Sequence, residues 1–154
     1  MAEFRIKIDG LQKLQVRLKN LRPDAEAILA QEIEVSANAI ELDAKQNAPN
    51  GLQTSYGGND PNYGQVRNAI SAWSVSKLTW NVGISTLGPI NDLAAYQEFG
   101  TGKWIDIPAG MEAYAMQWYK NGRGTILPQP FLFPAGERER VNLRERLKAD
   151  LLKL

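Results

Sequence analysis

The chain opens on a strict alternation. In EFRIKIDG, Phe4, Ile6 and Ile8 point one way while Arg5 and Lys7 point the other, which is the period of a half-buried strand ended by Asp9-Gly10. The period then lengthens. Leu11, Leu14, Leu18 and Leu21 recur three and four apart with basic residues between them, predicting a short helix from Leu11 to Leu21. Pro23 suits the first position of a second helix, and Asp24 and Glu26 suit its positive end. Leu29, Ile33, Ser36/Ala37, Ile40 and Ala44 form one stripe along it. Ala48-Pro49 closes it near Asn47, after roughly 36 Å, because a residue before proline avoids the helical region. The small side chains Ala37 and Ala44 predict close packing against a sheet or another helix.

Asn50 to Tyr63 (NGLQTSYGGNDPNY) reads as a loop. A structureless stretch of that length is unusual in a compact domain, and is expected to be mobile or ordered by a partner touching Tyr56, Gly57, Gly58 and Tyr63. Its Gly-Gly is no phosphate cradle, since neither a preceding strand nor a Gly-Lys-Ser/Thr ending is present. Ile70 to Ser85 predicts two strands with a turn near Lys77-Leu78. Trp80, Val82 and Ile84 alternate on one strand, and Trp73 and Val75 on the other. Tryptophans paired on a hairpin mostly stack in a core or across strands. The other use of such a pair is as a base-stacking platform.

Gly88 to Asn91 reads as a turn. Leu93, Tyr96 and Phe99 lie three apart, predicting one or two helical turns ended by Gly100. A further short helix is expected within Ile107 to Tyr119, stopped by NGRG. The prolines of PQPFLFPA exclude a central strand and predict an extended segment, with Phe131 and Phe133 on one side and Leu132 on the other. Gly136 to Leu154 predicts a charged helix with a narrow stripe of Leu143, Leu147, Leu151 and Leu154. Glu137–Arg140, Glu145–Lys148 and Asp150–Lys153 are spaced for pairing along it. No repeat or boundary divides the chain. The expected fold is one α+β domain over residues 1–154. A small, mainly antiparallel sheet packs against the long helix, with the C-terminal helix near a sheet edge.

Composition narrows the function. The chain has no cysteine and no histidine, which removes disulfides, thiolate chemistry, the commonest general base and the commonest metal ligands. A net charge of +1 is no footprint for gripping free nucleic acid. No apolar run approaches the length that crosses a bilayer, and the N-terminus lacks a signal core, so neither a membrane nor secretion is expected. The remaining candidate acids are Asp92, Glu98, Asp106 and Glu112. They lack the clustered spacing of a carboxylate dyad or a three-carboxylate metal site. No enzyme activity, cofactor or metal is expected. Glu98, between Gln97 and Phe99 and beside the glycines of FGTG, is expected to staple a loop by accepting bonds from loop N–H groups or an arginine, with Arg67 and Arg123 as candidates.

Two motifs remain: LAAYQEFGTGK, with Tyr96, Glu98, Phe99, Gly100 and Thr101, and WYKNGRGTILPQPFLFPA, with Pro128, Gln129, Pro130, Phe131, Leu132, Phe133, Pro134 and Ala135. Together they resemble the signature of a tail-completion family of long-tailed bacteriophages, small neck or minor tail components at the head–tail joint. Ala48-Pro49 and GQVRNAI (Gly64, Val66, Arg67, Ala69, Ile70) match two weaker features, with Val and Ala standing for the family's Leu and Ser. The resemblance spans Ala48 to Ala135 by motif. It implies a structural virion protein made in the host cytoplasm, with tail-tube and head-connector proteins as partners. It further implies self-association as a ring, six-fold like the tail, with DNA only passing through the channel. Two other classes compete. A nucleic-acid module would stack bases on Trp73, Trp80, Tyr56 and Tyr63 and bind with steep salt dependence. A histidine-free hydrolase would lose its activity on Glu98→Gln.

Overall fold

The computed structural model describes residues 5–7, 23–49, 64–85, 89–102 and 126–151. Over these the fold is α+β, with strand β1 (Arg5–Lys7), helix α1 (Pro23–Asn47), helix α2 (Gly64–Ala69), strands β2 (Ile70–Ser76) and β3 (Thr79–Ile84), helix α3 (Pro89–Phe99) and helix α4 (Leu132–Leu151). The sheet is antiparallel in the order β1-β3-β2. The helix expected over Leu11–Leu21, the loop over Asn50–Tyr63 and the helix within Ile107–Tyr119 lie outside the described residues.

Helix α1 runs between the predicted limits, and Ala48 still donates its N–H to the Ala44 carbonyl at 2.8 Å before Pro49 stops the chain. Its stripe is the spine of the core. Leu29, Ile33, Ser36, Ala37, Ile40 and Ala44 are all buried. Near the hairpin turn, Leu29 and Ile33 meet Leu78 and Trp80. Farther along, Ala37, Ile40 and Ala44 meet Ile70, Val82 and Ile84. The alanines lack bulk there, so helix and sheet approach closely, as their sizes led one to expect.

The hairpin register separates the tryptophans. Directly paired residues of antiparallel strands share a face. Trp80 pairs with Ser74 and Val82 with Ala72, on the face that α1 covers; Trp73 pairs with Asn81, on the other. The two rings therefore share no platform. Val75, expected to alternate with Trp73, sits at an irregularity between Ser74 and Ser76 and is exposed.

Two helix starts differ from expectation. The turn expected over Gly88–Asn91 is, from Pro89 onward, the first turn of α3, because proline supplies a helical φ where no N–H is required. The buried side of α3 is Asn91, Ala94, Ala95, Gln97, Glu98 and Phe99, rather than a Leu93–Tyr96–Phe99 stripe. Likewise α4 begins at Leu132, four residues before Gly136, so Phe133 and Pro134 lie in its first turn and not in an extended segment.

Helix α4 lies along α1 in the opposite direction, and also touches edge strand β1. Its polar contacts descend α1 as they ascend α4: Asp43 with Arg138, Ser36 with Glu139, Glu32 with Arg146. The expected pairs Glu137–Arg140 and Glu145–Lys148 form, while Asp150–Lys153 reaches beyond the described residues. At the opposite edge of the sheet, Glu41 of α1 accepts the Ala72 N–H of β2 through Oε2 at 2.7 Å and is paired with Lys45.

Ile33 has no exposed surface. Ile33→Asp is expected to cost more than about 4 kcal/mol by burying an unpaired charge, read as loss of the folded baseline in urea denaturation.

Candidate functional site

The two aromatic motifs form one structural unit, joined by Glu98. Gly100 ends α3 in the left-handed region, at φ 72°, and donates its N–H to the Tyr96 carbonyl at 2.9 Å. Gly102 is left-handed again, at φ 64°. These turns aim the chain so that the Thr101 N–H reaches the Ile126 carbonyl at 3.0 Å, and Thr101 Oγ1 accepts the Ile126 N–H at 3.2 Å. One step further, Gln129 donates its N–H to the Gln97 carbonyl at 2.7 Å. Residues 101 and 126 thus close the base of the segment between them.

The Glu98 side chain then meets the start of α4. Its Oε2 accepts the N–H groups of Phe131 at 2.8 Å and Leu132 at 3.0 Å, and its Oε1 accepts that of Phe133 at 3.0 Å. The first N–H groups of a helix have no partner inside it. Phe131, just before the helix, has no side-chain oxygen to cap them, and Pro134 brings no N–H at all. The acceptor comes instead from a carboxylate more than thirty residues earlier in the chain. The Phe99 and Phe133 rings close over the junction with centroids 5.6 Å apart. Phe99, Phe131, Leu132 and Ala135 are fully buried with Ala94 and Ala95.

Glu98 accordingly accepts from backbone N–H groups, but not from the loop expected: Leu132 and Phe133 open α4 and Phe131 immediately precedes it. Arg67 is not among them. Its Nη2 donates to the carbonyls of Ala48 at 2.7 Å and Gln46 at 3.4 Å, where a cation suits the negative end of α1. Arg123 lies outside the described residues, as do Asp106, Glu112, Tyr56, Gly57, Gly58 and Tyr63. Asp92 shares α3 with Glu98, but six residues apart on a helix they face different directions. Thr101 is buried, Tyr96 and Pro128 are half-buried, and Pro130 is exposed. Among the described residues no group of three His, Cys, Asp or Glu side chains is placed to hold a metal ion. No helix among them is long and apolar enough to cross a membrane.

Sequence reasoning missed a second polar cluster. Buried Ser36 donates to Glu139 Oε1 at 2.9 Å and accepts from Arg146 Nη2 at 2.7 Å. Arg146 also donates to Glu139 at 2.7 Å and to Glu32 at 2.6 Å. The signal was present: Ser36 interrupts the α1 stripe, and Glu139 lies four residues before Leu143 on the core side of α4.

The chain matches no protein-family model, and neither a curated protein nor a solved structure matches it.

Glu98→Ala strips the acceptor from three N–H groups at once and is expected to cost about 3–5 kcal/mol, read by urea denaturation, with chemical-shift changes centred on Phe131–Phe133. Burial raises the Glu98 pKa above its ordinary 4.5, against the pull of the N–H groups of Leu132, Phe131 and Phe133. A folded pKa above the unfolded one contributes stability that is full below the unfolded value and lost as pH rises through the folded value. The stability advantage of the native chain over Glu98→Gln should therefore shrink as pH rises above the ordinary 4.5. An advantage that grows over that rise would contradict the sign.

Proposed function

We propose that the chain is a structural virion protein of a long-tailed bacteriophage, completing the tail and joining it to the head as a six-fold ring around the DNA channel. One observation carries this reading. The two motifs that resemble the tail-completion signature, far apart in sequence, meet at Glu98, and the Glu98 carboxylate and the Thr101 hydroxyl are taken up in holding backbone. A carboxylate bonded to three N–H groups and only 2% exposed has no open face for a substrate, and among the described residues its bonds are to backbone and not to another acid or base. Its role is to build a surface. The near-neutral net charge fits a channel through which phosphates must slide without being gripped. The competing nucleic-acid module loses its shared stacking face, since Trp73 and Trp80 lie on opposite sides of the sheet.

The test is genetic. A stop codon early in this gene, in the parent phage, is expected to yield filled heads lying apart from tails in negative-stain electron micrographs of the lysate. Tails of abnormal length would assign termination rather than joining. Intact infectious particles would overturn the virion role.

A further inference from the structure

Where the two motifs join, several polar groups are already engaged. Glu98 takes the N–H groups of Phe131, Leu132 and Phe133, the Tyr96 carbonyl takes the Gly100 N–H, and both backbone groups of Ile126 are bonded to Thr101. Two glutamines stand apart from this pattern. Among the described residues four buried side-chain polar atoms have no hydrogen-bond partner, and three of them are Gln97 Oε1, Gln97 Nε2 and Gln129 Nε2. The fourth, Arg67 Nε, belongs to a guanidinium already bonded through Nη2. Gln97 is 2% exposed, on the buried side of α3. The two glutamines are direct neighbours, since Gln129 donates its N–H to the Gln97 carbonyl at 2.7 Å.

An enclosed amide is costly without a partner, so in folded proteins such groups are bonded to protein or to internal water. The three atoms define what can serve them. They are two donor groups and one acceptor. An anion suits the Nε2 groups and is repelled by Oε1. A cation suits Oε1 and is opposed by both Nε2 groups. A neutral group that donates and accepts meets all three. With so little of Gln97 at the surface, a peptide or a nucleobase is too large to reach its amide. The smallest such molecule is water, which when internal typically makes about three hydrogen bonds.

We propose that Gln97 and Gln129 together bind internal water, at a site built into the joint between the two motifs. Water there accepts from the two Nε2 groups and donates to Gln97 Oε1. It gives the end of α3 a second tie to the segment that enters α4, through side chains where the Gln97–Gln129 bond ties them through backbone. The site also gives each glutamine a use. An apolar side chain of similar length would fill either place without needing a partner.

The test is water-selective NMR on the full, isotope-labelled chain. The side-chain amide protons of Gln97 and Gln129 are expected to show rotating-frame cross-peaks to water, of the sign opposite to chemical exchange, as given by a molecule that tumbles with the protein. Cross-peaks from the Gln97 amide to protein protons alone, with none to water, overturn the proposal, because the partner is then another part of the chain. Gln97→Met keeps the length of the side chain and removes its hydrogen bonding. In that variant the water cross-peak of the Gln129 amide should be lost or fall severalfold. A Gln129 peak of unchanged strength overturns the shared site. Should Gln97→Met not fold, Gln129→Met, at a half-buried position, gives the same reading at the Gln97 amide, with the same two outcomes.

Discussion

The bond between a buried carboxylate and the start of a helix organises this protein. Helix α4 begins in a run of Phe-Leu-Phe-Pro that offers no oxygen to its own leading N–H groups. Glu98 supplies two from another part of the chain. The exchange is mutual. A carboxylate taken out of water needs donors as badly as the helix end needs acceptors, and each relieves the other's desolvation. Helix α3 already packs on α2 and β3; the Glu98 junction, with the backbone bonds Thr101–Ile126 and Gln97–Gln129, ties it to the start of α4, which lies along α1.

The α1–α4 contact uses different physics along its length. Toward the Glu98 end it is dry, with Leu132 and Ala135 against the alanines and Ile40 of α1. In its middle it is polar, with Ser36, Glu139, Arg146 and Glu32 in mutual contact. A fully bonded cluster of that kind adds little net stability over an apolar filling, but it penalises any slide of one helix along the other, since a one-turn shift would leave Glu139 buried and unpaired. Leu147 resumes the apolar contact beyond it, against Ala25, Leu29 and Ile33.

Elements with a periodic core were legible from the residues. Helix α1 declares itself through Pro23, the Leu29-to-Ala44 stripe and Ala48-Pro49, and the hairpin through alternation around Lys77-Leu78. What escaped were helix starts whose composition imitates turns. Gly-Pro-Ile-Asn resembles a bend, yet Pro89 is the first helical residue. PFLFP resembles an extended proline-rich segment, and nothing local says otherwise, because the group that lets it coil is Glu98. Within the site, the staple was legible as a type of interaction and its donors were not. Arg67 looked a natural counter-ion, but the open carbonyls at the end of α1 claim it first. The tryptophan pairing failed on register, a quantity fixed by hydrogen bonds across strands rather than by spacing along one.

The Glu41 contact at β2 has a consequence for what copies of this chain do when crowded. An outer strand is an adhesive rim, ready to recruit any passing backbone into a longer sheet and eventually a fibre. Here the position that an incoming carbonyl would take is already filled by the chain's own carboxylate, tethered to α1 and held by Lys45. The short exposed remainder of the strand is bent by its irregularity and ends at a lysine. At this edge of the sheet, then, one outward donor is already taken by the chain's own carboxylate, and lengthening the sheet along β2 would first have to displace it.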